Sequence, residues 1–274
     1  MNIQKDDRIF PSTRILAGIV TPILLAAFQI LYFAPQTSGE RFAWEIQPSM
    51  MAAFMGAGYL AGTYFFLNIV FVRQWHYVSI VFVSITCFTT GMLLSTILHW
   101  ERFDIGHFPF QAWLVLYIVF PPLVPYIWSR NNRTDPGVME GRDIPVPDSI
   151  RLIVRAIGAV LALITIAGFI APQLFIQVWP WELTPLTARV TTGWISLLGF
   201  GSLLLAAEKR WSSWQMALHV IAVWEILILI AGFLYLEDLK NGWFNWLFIS
   251  ILVELIVMIA FYFSMEMRRR KIAQ

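Results

Sequence analysis

Long apolar segments separated by short polar ones run along the whole chain. Eight of them are about 20 residues long, the length that a helix needs to cross a hydrocarbon core of roughly 30 Å. They are continuously apolar rather than alternating, so they predict helices and not the strands of a membrane barrel. The segments cover residues 14–34, 48–72, 76–98, 107–128, 151–171, 185–206, 215–236 and 243–265. The pattern predicts an all-α membrane protein with eight transmembrane helices.

Composition supports this fold class and excludes a soluble domain. The 274 residues are 58% hydrophobic and 13% charged, whereas soluble domains carry about 25% charged residues. The net charge of +2 comes without a basic stripe outside the ends and loops, so the expected partner is the lipid bilayer and not nucleic acid. A single cysteine, Cys87, cannot form an internal disulfide or a zinc site of cysteines. We predict no cofactor.

Basic residues predict the orientation of the helices. Fourteen Lys and Arg, with Arg142 among them, fall on one side of the predicted spans, and Arg41, Arg102 and Lys240 fall on the other. The positive-inside rule then places both termini in the cytoplasm, as an even number of spans requires. The first segment lacks a signal-peptide cleavage pattern, so we interpret it as a retained helix. The expected location is the cell (inner) membrane.

The second half of the chain repeats the first. Residues 34–62 and 171–199 align without gaps, and nine of the 29 positions are identical. A second match sets 98–108 against 234–244, including Gly106/Gly242 and Phe108/Phe244, with Trp243 in place of His107. We predict two four-helix repeats in parallel orientation, over 1–128 and 151–274, joined by a cytoplasmic linker at 129–150.

The residues shared by the two halves cluster in the loops on the non-cytoplasmic side. Tryptophan is common at membrane interfaces, and an acidic residue suits a helix N-terminus. These residues therefore predict either a shared loop architecture or a vestibule that faces a ligand. The candidates are Trp44, Glu45, Trp181, Glu182, Glu101 and Glu237.

Three ionisable residues inside predicted spans of the second half are the main functional candidates. Glu225 and Glu254 lie near the middle of spans seven and eight, and Arg189 lies one turn below the outer end of span six. Such groups are costly in hydrocarbon. A short loop joins spans seven and eight, so both carboxyl groups should lie at similar depth, where repulsion would keep at least one protonated. Arg189 could instead neutralise one of them. The alternatives are a transport pathway, a structural ion pair, and side chains that face lipid.

The histidines raise two further hypotheses. His99 and His107 flank a loop with ligand types suited to a divalent metal, but the repeated loop has Tyr235 and Trp243 at these positions, so symmetry does not support the site. His76 and His219 could ligate a haem if they lay on facing helices at one depth. No GxSxG, HExxH, Walker A, CxxC or Rossmann motif is present, so no reaction is predicted and whether the chain is an enzyme stays open.

The segment Trp179-Pro180-Trp181-Glu182-Leu183-Thr184-Pro185-Leu186-Thr187-Ala188-Arg189 resembles a loop of uncharacterised bacterial multi-pass membrane proteins. The resemblance implies a bacterial origin and no activity. From the residues, the leading hypothesis is a transporter of a small solute or ion, with proton coupling as one form. The alternatives are a non-catalytic subunit or assembly factor of a membrane complex, and a membrane enzyme or redox protein. The oligomeric state stays open.

Overall fold

The structure, a computed structural model, describes residues 5–139, 141, 143–240 and 245–272. Arg142, which entered the charge count, and Gly242, Trp243 and Phe244, which entered the repeat match, lie outside these residues. The described part of the chain is helical, with isolated bridges in place of strands. The helices are α1 (Pro11–Phe33), α2 (Ser38–Arg41), α3 (Ser49–Phe71), α4 (Ser79–Leu98), α5 (Phe108–Asn131), α6 (Asp148–Ile170), α7 (Pro172–Val178), α8 (Pro185–Ala207), α9 (Trp211–Leu234) and α10 (Trp246–Ile272).

Eight of these helices are long and apolar enough to cross a membrane. They confirm the eight predicted helices, and they imply a lipid bilayer environment. Most helix ends lie within four residues of the predicted ends, but α10 continues to Ile272, seven residues beyond the predicted end at 265. The added turns are polar and leave the apolar segment. They stay helical where the indole Nε1 of Trp211 donates to Glu266 at 2.8 Å.

The prolines of α5 do not end this helix. Pro121, Pro122 and Pro125 were expected to break or kink it, yet α5 continues through all three to Asn131. Asn131 is fully buried, and its Oδ1 accepts hydrogen bonds from the Thr13 hydroxyl at 2.8 Å and from a backbone N–H. These tertiary bonds hold the last turn against the ladder bonds that proline removes.

The long helices pack as hairpins that interlock across the middle of the chain. α1 lies along α3, and α6 lies along α8. Between the halves, α3 contacts α9 and α8 contacts α4, while α5 packs on α4 and α10 packs on α9. Each N-terminal hairpin of one half therefore packs against helices from the other half.

Two glycines allow the hairpin helices to approach closely. A Cβ atom at Gly56 would lie 3.0 Å from the backbone nitrogen of Tyr32 in α1, and one at Gly199 would lie 2.8 Å from the backbone nitrogen of Ala162 in α6. No larger residue fits such backbone contacts without displacing a helix. The predicted role of these glycines in helix packing is confirmed.

The linker packs on the same end of the bundle as Asp7, which we call the N-terminal side. Arg210, buried there, donates to Asp135 at 2.7 Å and to Glu208 at 2.6 Å. Burial alone would raise the pKa of these two carboxyl groups, but the hydrogen bonds and charge of Arg210 lower both pKa values below the ordinary range. Arg210, counted in the sequence as a loop charge, instead fixes the linker to the start of α9.

Candidate functional site

Glu225 and Glu254 lie together between α9 and α10. Their carboxyl groups are within hydrogen-bonding reach of one another. Glu225 is 4% exposed, and its Oε2 is buried without a hydrogen-bond partner among the described residues. Glu254 is exposed at the surface of the helix bundle. One carboxyl group therefore lies inside the protein and the other closes the site toward the hydrocarbon.

The sequence of α10 explains this arrangement. Phe248, Ile251, Leu255 and Met258 recur at intervals of three or four residues and form the buried stripe of the helix. Glu254 stands directly beside this stripe, so its carboxyl group reaches the seam with α9 while much of the side chain stays outside. The expected similar depth of the two glutamates agrees with this contact.

Arg189 does not join this pair. Its Nε donates to the carbonyl oxygen of Phe169 at the end of α6 (3.0 Å), and Nη1 lies 2.7 Å from Nε2 of His99. A guanidinium can only donate, so His99 accepts here and is neutral. Burial, and after it the nearby positive charge of Arg189, lower the pKa of His99. Arg189 thus links α6, α8 and the end of α4, and the idea that it neutralises a carboxylate is not supported.

The other histidines are also engaged. Nε2 of His107 contacts the carbonyl oxygen of Phe42 at 3.0 Å, so His99 and His107 are committed to different partners. Among the described residues no group of three or more His, Cys, Asp or Glu is placed to hold a metal. His76 uses both ring nitrogens in hydrogen bonds, which leaves none to ligate a haem with His219.

His76 belongs to a buried polar chain on the N-terminal side, which we call the N-terminal network: Asp7, His76, Ser212 and Asp143. Nδ1 of His76 donates to the Asp7 carboxylate, and Nε2 lies 3.0 Å from Oγ of Ser212. The Ser212 hydroxyl in turn donates to Asp143 at 2.7 Å. The order resembles an acid–histidine–serine triad, but Ser212 is 4% exposed and its proton is committed to Asp143. The network therefore joins chain segments and offers no accessible nucleophile.

Sequence reasoning missed this network. His76 was considered, but Asp7, Asp143 and Ser212 were not. Asp7 precedes His76 by 69 residues, and Ser212 follows it by 136, with no motif at any of these positions. A usable signal was the placement of polar residues next to span ends on one side, although it does not select partners.

The shared loop residues divide into buried aromatic and exposed acidic ones. Trp44 packs on Phe103 and Trp113, and Trp181 packs on Phe54 and Trp179. The four glutamates of these loops are exposed: Glu45, Glu101, Glu182 and Glu237. Glu182 pairs with Lys240 at 3.3 Å. This division favours the loop-architecture interpretation over a convergent vestibule.

No family model matches this chain, and no curated protein or solved structure matches it either. The function must therefore be argued from the site itself.

Proposed function

We propose that the chain is a membrane transporter of a small solute or ion in which Glu225 and Glu254 bind and release a proton or a small cation. The observation that carries the proposal is the pair of adjacent carboxyl groups within two spans, with an unpartnered oxygen on Glu225. Two like charges in apolar surroundings repel strongly, so one proton or cation shared by the pair stabilises it.

The site lies at a seam that can change. α10 packs along α9, and Glu254 is at the outer edge of their contact. A small separation of the two helices would expose Glu225, whereas Arg189, bound at the end of α6, stays outside the pair. We therefore assign the exchange step to the two carboxyl groups and a positioning role to Arg189.

We further propose that this site belongs to a duplicated architecture. The helices α1–α5 correspond in order to α6–α10, including the short helices α2 and α7. Arg14 donates to the carbonyl oxygen of Ile69 at the end of α3, and Arg151 donates to that of Ala206 at the end of α8. The contact of α3 with α9 mirrors that of α8 with α4. These matches support parallel repeats over 1–128 and 151–274, with 129–150 as linker.

The orientation remains the one that the charges favour. With both termini cytoplasmic, the N-terminal side faces the cytoplasm of a cell whose inner membrane holds the protein. The carboxyl pair is then near the middle of the bilayer, where an alternating-access site is expected.

The test is proton movement in liposomes. Protein is reconstituted with the pH-sensitive dye pyranine inside, a pH gradient is imposed, and acidification is followed with a panel of monovalent cations and small organic solutes. We expect at least one solute to accelerate acidification, and Glu225→Gln and Glu254→Gln to return the rate to that of protein-free liposomes. Glu45→Gln, an exposed loop glutamate, is the matched control and should keep the rate. No solute-dependent flux, or full flux in both pair variants, would overturn the proposal.

A second candidate function rests on the exposure of Glu254. A carboxyl group at the lipid-facing surface could pair with a basic residue on a helix of another subunit, so the chain would be a subunit or assembly factor of a membrane complex. That role predicts stable co-purification with one partner that Glu254→Gln disrupts and Glu45→Gln does not. Co-purification that survives Glu254→Gln counts against it.

A further inference from the structure

A cavity of about 150 Å³ lies between the two halves of the molecule, away from the carboxyl pair. Helices α1, α3, α4, α5, α8 and α9 all contribute to its lining, whereas Glu225, Glu254 and Arg189 do not. Small residues such as Gly58 and Gly201 line it and leave room between the helices. Ile23 also lines it and is 40% exposed, so the cavity reaches the lipid-facing surface.

The lining offers an ion or a sugar little to bind. Most of it is aliphatic or aromatic, and its hydroxyl groups are already satisfied. Ser84 donates to the carbonyl oxygen of Val81 at 2.8 Å, and Thr89 donates to that of Ile85 at 3.0 Å, both within α4. A cavity of this size with apolar walls stays dry and takes an apolar molecule about as large as benzene.

Two hydrogen-bond donors of the lining lack acceptors. Nε1 of Trp194 is buried without a partner among the described residues, and Trp194 itself is 3% exposed. The hydroxyl groups of Tyr59 and Tyr117 lie 3.3 Å apart, so one of them donates to the other and the second proton has no partner in the described contacts. Both tyrosines line the cavity, and the ring of Tyr59 contacts that of Trp194. The cavity thus combines apolar walls with two free donors, which suits a ligand with acceptor oxygens.

The depth of these donors narrows the ligand class. Trp194 is in the central part of α8, far from either end of that helix. The ester carbonyl groups of membrane lipids lie near the edges of the hydrocarbon core, so they do not reach this depth. We propose that the cavity binds the ring of an apolar ketone of the quinone class, which enters from the bilayer and accepts hydrogen bonds from Trp194 and from the Tyr59–Tyr117 pair.

The test compares two ligands of matched shape in detergent solution. Duroquinone carries two carbonyl groups on a tetramethylated ring, and durene carries the same four methyl groups without them. Isothermal titration calorimetry should show that the protein binds duroquinone about tenfold more tightly than durene, the effect of one or two neutral hydrogen bonds. Trp194→Phe should lower the affinity for duroquinone by about fivefold and leave that for durene unchanged.

A cavity-filling pair of variants completes the test. A Cβ atom at Gly201 meets the Cβ of Ser84 at 3.6 Å, an ordinary contact, so Gly201→Leu should fold and place its side chain in the cavity. It should abolish binding of both ligands. Gly18→Leu, on an exposed face of α1 with nothing within 4 Å, is the control and should bind normally. Equal affinity for the two ligands, or binding that Gly201→Leu leaves intact, would overturn the proposal. Because neither glutamate of the pair lines the cavity, the outcome is independent of the transport assay.

Discussion

The carboxyl pair and the N-terminal network are both buried polar groups, but they are built in opposite ways. In the network, His76 is bonded at both ring nitrogens, and Ser212 is bonded to both His76 and Asp143. In the pair, one Glu225 oxygen has no partner and no basic residue is bonded to either carboxyl group in the described contacts. A satisfied network stabilises a fold, whereas an unsatisfied pair costs stability and is tolerated where something binds to it.

The largest expected effect is the loss of the buried arginine on the N-terminal side. Arg210→Ala leaves the carboxylates of Asp135 and Glu208 side by side without a positive charge. We expect a loss of about 3–5 kcal/mol in the free energy of unfolding, as for other broken buried ion pairs. Unfolding by SDS in mixed micelles measures it.

The control for this change is a second arginine in an exposed ion pair. Arg8 pairs with Asp6 at 3.5 Å and its side chain is 54% exposed, so Arg8→Ala should cost less than about 1 kcal/mol. Similar losses in both variants would show that the Arg210 cluster does not behave as a buried ion pair.

A smaller loss is expected at the centre of the N-terminal network. Ser212→Ala removes the hydroxyl that connects His76 with Asp143 and leaves both without that partner. The expected cost is about 1–3 kcal/mol, measured by the same SDS titration. Ser250→Ala is the control, since this exposed hydroxyl donates to a carbonyl of its own helix. If Ser212→Ala were as mild as Ser250→Ala, the network would not be a stabilising element.

The helices could be predicted because the length of an apolar run has a direct physical meaning in a bilayer. The contact between Glu225 and Glu254 also followed, because the short loop between α9 and α10 forces them to pack as neighbours. The exposure of Glu254 could not be predicted, since it depends on which helices cover α10. The partner of Arg189 is His99, 90 residues away, and no local pattern connects them.

The carboxyl pair should respond differently from the network. Glu225→Gln and Glu254→Gln keep the side-chain shape, remove one of two like charges and retain a hydrogen-bond donor for the remaining carboxyl group. We expect each to change the free energy of unfolding by less than about 1 kcal/mol, or to raise it, while proton flux is lost. A loss as large as that of Arg210→Ala would place the pair with the structural clusters and remove the basis of the transport proposal.

The smallest expected effect is a pH dependence at the partly buried His99. Burial and the charge of Arg189 lower its pKa in the folded protein, so the unfolded chain binds a proton that the folded chain resists. The stability that neutral His99 contributes is therefore present above about pH 6.5, the ordinary histidine pKa, and is lost as the pH falls below it. In His99→Gln the amide oxygen can still accept from Arg189 but does not titrate. The wild-type protein should lose stability relative to this variant, by less than about 1 kcal/mol, between pH 7.5 and roughly pH 5. Parallel pH profiles for the two proteins would show that His99 does not accept from Arg189 as a neutral ring.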